Sequence, residues 1–324
     1  MKAFQHISAK NSGQVASLLA RYGKRAKVVA GGMDLLGELK YRTVTPELVI
    51  DLKTIPKMSY IRADTTGLKI GATTILREIA ENKAVKERFL VLAQAAESVA
   101  TPQIRNFGTL GGNICQRPRC WYYRSIDFNC LKKGGPVCYA KEGENQYHCI
   151  LGGDPCYIVH PSDTAPALMA LGAKARIMGK KGERTVPFDD FFILPAKNVL
   201  KENVLEAEEF LTEVQIPNPA PGTKSIYLKS AERRSWDFAL ASVALVLRSE
   251  GGIVREARVV LGGVAPIPWR AKEAEGELKG RRVTEELALR AAEAAVAKAK
   301  PLAMNAYKVD LTKALVRRAV LALA

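Results

Sequence analysis

All six cysteines of the chain fall between residues 115 and 156, spaced Cys115-x4-Cys120-x9-Cys130-x7-Cys138-x10-Cys149-x6-Cys156. Thiolates are soft ligands, suited to zinc and to iron–sulfur clusters. No C-x2-C pair is present, so zinc knuckles and ribbons fit poorly, and the compact bacterial ferredoxin run is missing too. Thiolates from one loop can still wrap a cluster. Gly134-Gly135-Pro136, Gly152-Gly153 and Pro155 permit the turns this needs. A [4Fe–4S] centre with four thiolates is anionic; Arg117, Arg119, Arg124, Lys132 and Lys133 would offset its charge, and Trp121, Tyr122, Tyr123 and Phe128 would shield it from water. On spacing alone a zinc site and unrelated reduced thiols stay open as alternatives. His148, beside Cys149, is a weaker alternative ligand. His160, before Pro161, reads as a locally hydrogen-bonded residue.

Paired glycines carry the second signal. Val28-Val29-Ala30-Gly31-Gly32-Met33-Asp34-Leu35 reads as a strand that ends in a glycine turn and enters a helix, and Gly108-Thr109-Leu110-Gly111-Gly112-Asn113 repeats the theme. Glycine lets backbone approach a bulky anion, and successive N–H groups can cradle phosphate oxygens. The G-x-G-x-x-G fingerprint and the Walker A loop are both absent, which excludes a standard Rossmann dehydrogenase and a P-loop NTPase. No Ser-His-Asp arrangement, H-E-x-x-H or paired-carboxylate motif appears, so no catalytic residue is assigned.

The elements that must position these loops follow from periodicity. Lys2–Ile7, Lys27–Ala30 and Leu48–Leu52 read as strands around helices Ser12–Tyr22 (Ser12 as N-cap, Gly23 as stop) and Leu35–Lys40, a small βαβ unit. Residues 53–113 mix strands Tyr60–Arg62 and Gly67–Ile70 with helices Ile75–Glu81 and Leu90–Ser98. Asp163–Leu171 is an apolar helix. Beyond it Lys174–Met178, Glu213–Ile216, Ser225–Lys229, Ala239–Arg248 and Ile253–Leu261 read as a mostly antiparallel sheet, covered by Ala-rich helices Glu285–Lys300 and Val309–Leu323. With 324 residues, about two domains are expected. The boundary is placed at 171: residues 1–171 (subdomains about 1–54 and 55–171, with the Cys-rich insertion 115–156) and residues 172–324.

Composition excludes several classes. At 48% hydrophobic and 25% charged the chain is an ordinary globular protein. Net charge is +16, yet lysines and arginines are scattered in pairs with no run of like charge, so no nucleic-acid partner is expected. The longest apolar stretch, Phe238–Leu247, is about half a bilayer span, and the N-terminus lacks a signal-peptide core. No membrane span and a cytoplasmic location are expected.

Three ordered motifs carry a resemblance: Val29–Leu35, Gly108–Ile114 and His160-Pro161-Ser162-Asp163-Thr164-Ala165-Pro166-Ala167-Leu168. They resemble the FAD-binding (medium) subunit of the molybdenum hydroxylases, the family of xanthine dehydrogenase and carbon monoxide dehydrogenase. Lys229 with Arg233-Arg234 and Asp237-Phe238-Ala239, and Leu261–Pro266, resemble its C-terminal domain. The resemblance implies an α+β fold: an FAD-binding domain (small βαβ unit plus mixed α/β subdomain), then an α+β C-terminal domain of antiparallel sheet and helices. It implies that Val28, Val29, Ala30, Gly31, Gly32, Met33, Asp34 and Leu35 wrap the FAD pyrophosphate. Thr109, Leu110, Gly111, Gly112 and Asn113 would hold the flavin-side phosphate and ribityl region, Asp163 would hydrogen-bond the cofactor, and Lys229 would lie near the flavin ring. Met33 departs from the family's usual Thr, which removes a hydroxyl contact but not a backbone one.

The cysteine insertion, from Asn113–Cys120 to Asp154–Tyr157, resembles that of the β-subunit of 4-hydroxybenzoyl-CoA reductase, which holds an extra [4Fe–4S] cluster. That likeness implies Cys120, Cys130, Cys138 and Cys156 as ligands. The middle spacings differ from the reductase, so Cys149 stands as the alternative to Cys138; Cys115 reads as a buried thiol. The implied function is an oxidoreductase subunit passing electrons between an external carrier such as ferredoxin or NAD(P) and the partner subunits, a molybdopterin-containing large one and a [2Fe–2S] small one. Alternatives are the flavin subunit of an aldehyde, xanthine or carbon monoxide dehydrogenase-type complex, and a zinc-stabilised scaffold without flavin turnover.

Overall fold

The computed structural model describes residues 1–324 and contains three sheets. The first is parallel: β1 (Gln5–Ser8), β2 (Ala26–Val29) and β3 (Leu48–Asp51) lie in the order β1-β3-β2. Central β3 buries Leu48, Val49 and Ile50 in succession, as a strand covered on both faces must. The connecting helices span Ser12–Tyr22 and Leu35–Lys40, as the periodicity requires. The first helix is capped one residue earlier than expected: Asn11 Oδ1, not Ser12, accepts the Gln14 N–H at 2.9 Å. Because β2 stops at Val29, residues 30–35 leave the carboxyl end of a parallel strand and enter a helix. Open α/β sheets bind ligands at such edges.

The second sheet is antiparallel. β4 (Ile61–Ala63), β5 (Gly67–Gly71), β6 (Lys174–Gly179), β7 (Gly182–Pro187) and β8 (Phe210–Pro217) lie in the order β4-β5-β8-β6-β7. It runs across residue 171. β8 brings Phe210, Leu211, Val214 and Ile216 into the core between β5 and β6, so strands from both sides of the boundary read in the sequence share one sheet. Periodicity shows where strands lie but not which ones pair.

A separate antiparallel sheet comprises β9 (Thr223–Ser230), β10 (Ala241–Glu250), β11 (Ile253–Gly262) and β12 (Trp269–Arg270). Helix Tyr307–Ala322 packs on β10 and β9, and helix Glu285–Val296 packs on that helix. Ala288, Ala291, Ala292 and Ala295 are buried there, and their small side chains let the backbones approach. The α+β architecture implied by the resemblance is the one observed. No helix is long and apolar enough to cross a membrane.

Residues 115–156 hold little regular structure beyond a helical turn at Trp121–Arg124 and a 3-10 turn at Leu131–Lys133. Such a segment must find hydrogen-bond partners elsewhere. The C-terminal domain supplies several. Fully buried Asn305 donates from Nδ2 to the His148 and Cys149 carbonyls, each at 3.1 Å, and accepts from Leu302 N at 2.7 Å. Buried Lys308 donates from Nζ to the Tyr147 and Gly263 carbonyls at 2.9 and 2.8 Å. Asn305→Ala leaves two carbonyls and one N–H unpaired; urea unfolding is expected to show a loss of about 2–4 kcal/mol.

Candidate functional site

The two glycine loops meet. A Cβ on Gly31 would stand 2.2 Å from the Phe107 carbonyl oxygen, and one on Gly111 would stand 3.0 Å from the Ala72 carbonyl oxygen. Gly32 has φ +72°, a left-handed conformation that glycine adopts without strain. Between the loops and the insertion lies a cleft of about 990 Å³. None of the N–H groups of Ala30 through Leu35 donates to another protein group, and all six residues line the cleft. A row of free N–H groups at the start of a helix is an anion nest. The donor set therefore fits the pyrophosphate of a dinucleotide.

Val28, Val29, Thr109, Gly111, Gly112, Asn113 and Asp163 also line the cleft. Leu110 does not; it is fully buried in the core. Several side chains are engaged within the protein. Thr109 Oγ1 caps its helix by accepting from Gly112 N at 3.2 Å, and Asn113 Oδ1 accepts from the Ser162 and Thr164 hydroxyls, both at 2.6 Å. Lys229 is absent from the cleft wall. Its Nζ donates to Asp163 Oδ2 at 2.8 Å and to the Ser98 carbonyl at 3.0 Å, while the Tyr227 hydroxyl donates to Asp163 Oδ1 at 2.7 Å. Burial pushes the Asp163 carboxyl up, and Lys229 and Tyr227 oppose that push. Asp163 does not cap the helix that follows; Ser162 Oγ does, accepting from Ala165 N at 3.0 Å.

Sequence reasoning missed Tyr227, although it lies two residues before Lys229 on β9 and so shares its face. It missed Trp236, which reaches the cleft rim 59% exposed. It also missed the partners of Asp34, whose carboxylate accepts from the Arg117 backbone N–H at 2.7 Å and from Arg119 Nη1 and Arg124 Nη2, both at 2.6 Å.

Four cysteines line one small void in the insertion: Cys120, Cys130, Cys138 and Cys156, with Lys132, Tyr122, Tyr123, Tyr139 and His148 around them. Cys149 lies outside it, its sulfur beside Gly153; Cys115 lies on the large cleft. Burial pushes the Cys115, Cys120 and Cys149 thiols up to about 12. A hydrogen bond with Cys156 pulls the Cys138 thiol down to about 6, helped by the backbone N–H groups of Tyr157, Ala140 and Lys141; the same bond pushes Cys156 up. No three His, Cys, Asp or Glu groups converge on one point as a single-metal site requires. His148 Nε2 lies 3.3 Å from Cys120 Sγ. The His160 imidazole, pushed down to about 4 by burial, accepts locally at Nδ1 from Ser162 N at 3.4 Å.

Comparison with known proteins bears on this geometry. Residues 2–219 match the model of the FAD-binding domain in molybdopterin dehydrogenase, and residues 226–323 match the carbon monoxide dehydrogenase flavoprotein C-terminal domain. The chain belongs to the FAD-binding subunit family of the molybdenum hydroxylases. It is 34% identical to the aldehyde oxidoreductase FAD-binding subunit PaoB of Escherichia coli (strain K12), over 97% of this chain and 96% of that one. It is 32% identical to the carbon monoxide dehydrogenase medium chain of Hydrogenophaga pseudoflava, over 98% and 96%. A solved structure of carbon monoxide dehydrogenase from Hydrogenophaga pseudoflava superposes with a TM-score of 0.79 at 30% identity, covering 100% of this chain and 99% of that one. Like these flavoprotein subunits, the chain is part of an oxidoreductase.

Two outcomes follow for this family member. Gly31→Ala forces its loop away from Phe107, at a cost of about 1–3 kcal/mol in urea unfolding, and lowers FAD content in the purified protein. Lys229→Met strands a buried carboxylate and costs about 3–5 kcal/mol, while Asp163→Asn/Lys229→Met recovers most of that loss in the same measurement.

Proposed function

We propose that the chain is the FAD-bearing electron-transfer subunit of a heteromeric molybdenum enzyme of the aldehyde oxidoreductase or carbon monoxide dehydrogenase type. Its partners are then a molybdopterin-containing large subunit, where substrate reacts, and a [2Fe–2S] small subunit. The observation that carries this reading is the row of unengaged N–H groups from Ala30 to Leu35, facing a large cleft in a chain of an FAD-binding family. Bound FAD supplies exchange of electrons in pairs or singly, and the protein supplies binding, orientation and field. Residues 28–35 hold the pyrophosphate, and Thr109, Gly111, Gly112 and Asn113 shape the opposite wall. Lys229 and Tyr227 hold both oxygens of the Asp163 carboxylate at the cleft wall, so any influence of Lys229 on the cofactor passes through Asp163. No residue of this chain touches the organic substrate. A relative named as a carbon monoxide dehydrogenase chain favours outward electron flow, to a carrier such as ferredoxin or NAD(P), over the reductase-like direction.

The reading includes a [4Fe–4S] cluster held by Cys120, Cys130, Cys138 and Cys156. Four thiols share one small void, buried Tyr122 and Tyr123 pack beside it, and Lys132 lies near enough to Cys156 to favour its thiolate. This cysteine segment is the one feature that keeps the 4-hydroxybenzoyl-CoA reductase type as the second reading. The zinc scaffold lacks a point of convergence for its metal.

Protein prepared without air, with iron and flavin supplied, is expected to carry one FAD and about four irons per chain, read by absorbance, metal analysis and electron paramagnetic resonance of the reduced sample. Cys130→Ser loses the iron and Cys149→Ser keeps it. Zinc without flavin overturns the whole reading; iron lost in Cys149→Ser but kept in Cys138→Ser overturns the ligand set.

A further inference from the structure

Asp34 belongs to the loop that faces the cleft, yet its carboxylate is turned to the cysteine segment. Oδ2 accepts the backbone N–H of Arg117 at 2.7 Å; Oδ1 accepts from Arg119 Nη1 and Arg124 Nη2, each at 2.6 Å. These are short, charge-assisted bonds, the strong class. They do not stand alone. Arg119 also donates to the Arg117 carbonyl at 2.6 Å, and Arg124 donates from Nε to the Pro118 carbonyl at 2.8 Å, so the two guanidiniums knit residues 117–124 into one turn around Asp34. One helical turn later, buried Glu38 accepts from the Tyr123 hydroxyl at 2.6 Å. Cys120 lies within this turn, between Arg119 and Trp121. The residues that present N–H groups to the cleft and the residues that present the first thiol to the void are therefore tied through one side chain.

We propose that Asp34 is a positioning residue that couples the two sites: an occupant of the Ala30–Leu35 nest orders residues 117–125, and an occupant of the thiol ring orders the nest. This coupling rests on the FAD reading given above. The physical reason is shared ordering. Asp34 can hold its three donors in one geometry only if its own backbone is fixed, and that backbone is part of the nest. Whichever site fills first removes the disorder that the other would otherwise have to remove, and thermodynamic linkage makes the effect reciprocal. Asp34 itself contributes its backbone N–H to the cleft and its carboxylate to the insertion.

Hydrogen exchange read by mass spectrometry on the full chain, with and without FAD, separates this coupling from FAD binding itself. In the wild type, FAD is expected to slow exchange at residues 30–35 and, by about tenfold, at 117–125, where the Arg117 amide reports the Asp34 bond directly. In Arg119→Gln/Arg124→Gln, which leaves the nest residues intact, the slowing at 30–35 persists and the slowing at 118–125 disappears. Asp34→Ala, which removes the acceptor itself, also abolishes the slowing at 117–125, the Arg117 amide included, and serves if the double variant does not fold. In iron-loaded wild type, chelation of the iron speeds FAD release by about tenfold; in the variants it does not. Failure of FAD to protect residues 30–35 overturns the FAD reading. Protection at 30–35 without protection at 117–125 in the wild type, or protection at 117–125 that survives in both variants, overturns the coupling alone. The exchange experiment decides the coupling whether or not iron is present.

Discussion

The site depends on an approach of two backbones closer than any side chain permits. Gly31 lies against the carbonyl of Phe107, and a single added carbon would stand 2.2 Å from that oxygen. Contact at this point closes the first loop onto the second. It leaves the N–H groups of residues 30–35 facing open space rather than other backbone. Unpaired donors are costly inside a protein and useful at the edge of a cleft, where an anion can take them. One constraint thus yields both a sharp turn and a binding surface. The strand that leads into the turn, β2, is paired along its length with buried β3.

The cysteine segment has the opposite character. It has little helix or strand of its own, and its geometry is imposed from three directions. Asp34 and Glu38 hold its start. Glu202 forms ion pairs with Lys132 at 2.6 Å and Arg117 at 2.9 Å. Glu202 and Lys132 are almost completely buried, so neither charge tolerates the loss of its counter-ion. Asn305 and Lys308 hold the carbonyls of residues 147–149 from the C-terminal domain. An irregular loop pinned at so many points can keep thiols from distant positions in sequence around one void.

Charge is used locally rather than broadly. The net charge of +16 reads in the sequence as a scattered basic surface. In the structure several of these cations are internal: Arg117, Arg119, Arg124, Lys132 and Lys229 all meet carboxylates. Of the cations expected to balance a cluster, Lys132 lines the void but is paired with Glu202, while Arg119 and Arg124 are committed to Asp34.

The sequence alone determined most of the local elements, though not β7 or β12, together with the two glycine turns and their order along the chain, and with them the family. These features arise from short-range rules: periodicity, φ preferences and the need for a bare backbone beside an anion. Only the tertiary structure decided relations between distant residues. It placed β6, β7 and β8 in the same sheet as β5, across residue 171. It set Cys138 on the void and Cys149 outside it, though both have plausible spacing. It took Lys229 off the cleft and onto Asp163, and committed the Asp34 carboxylate to the insertion while its backbone stays on the cleft. Each of these is a choice among partners far apart in the chain. Such choices are made by burial and by the need of every buried charge for a counter-charge, and spacing along the chain records neither.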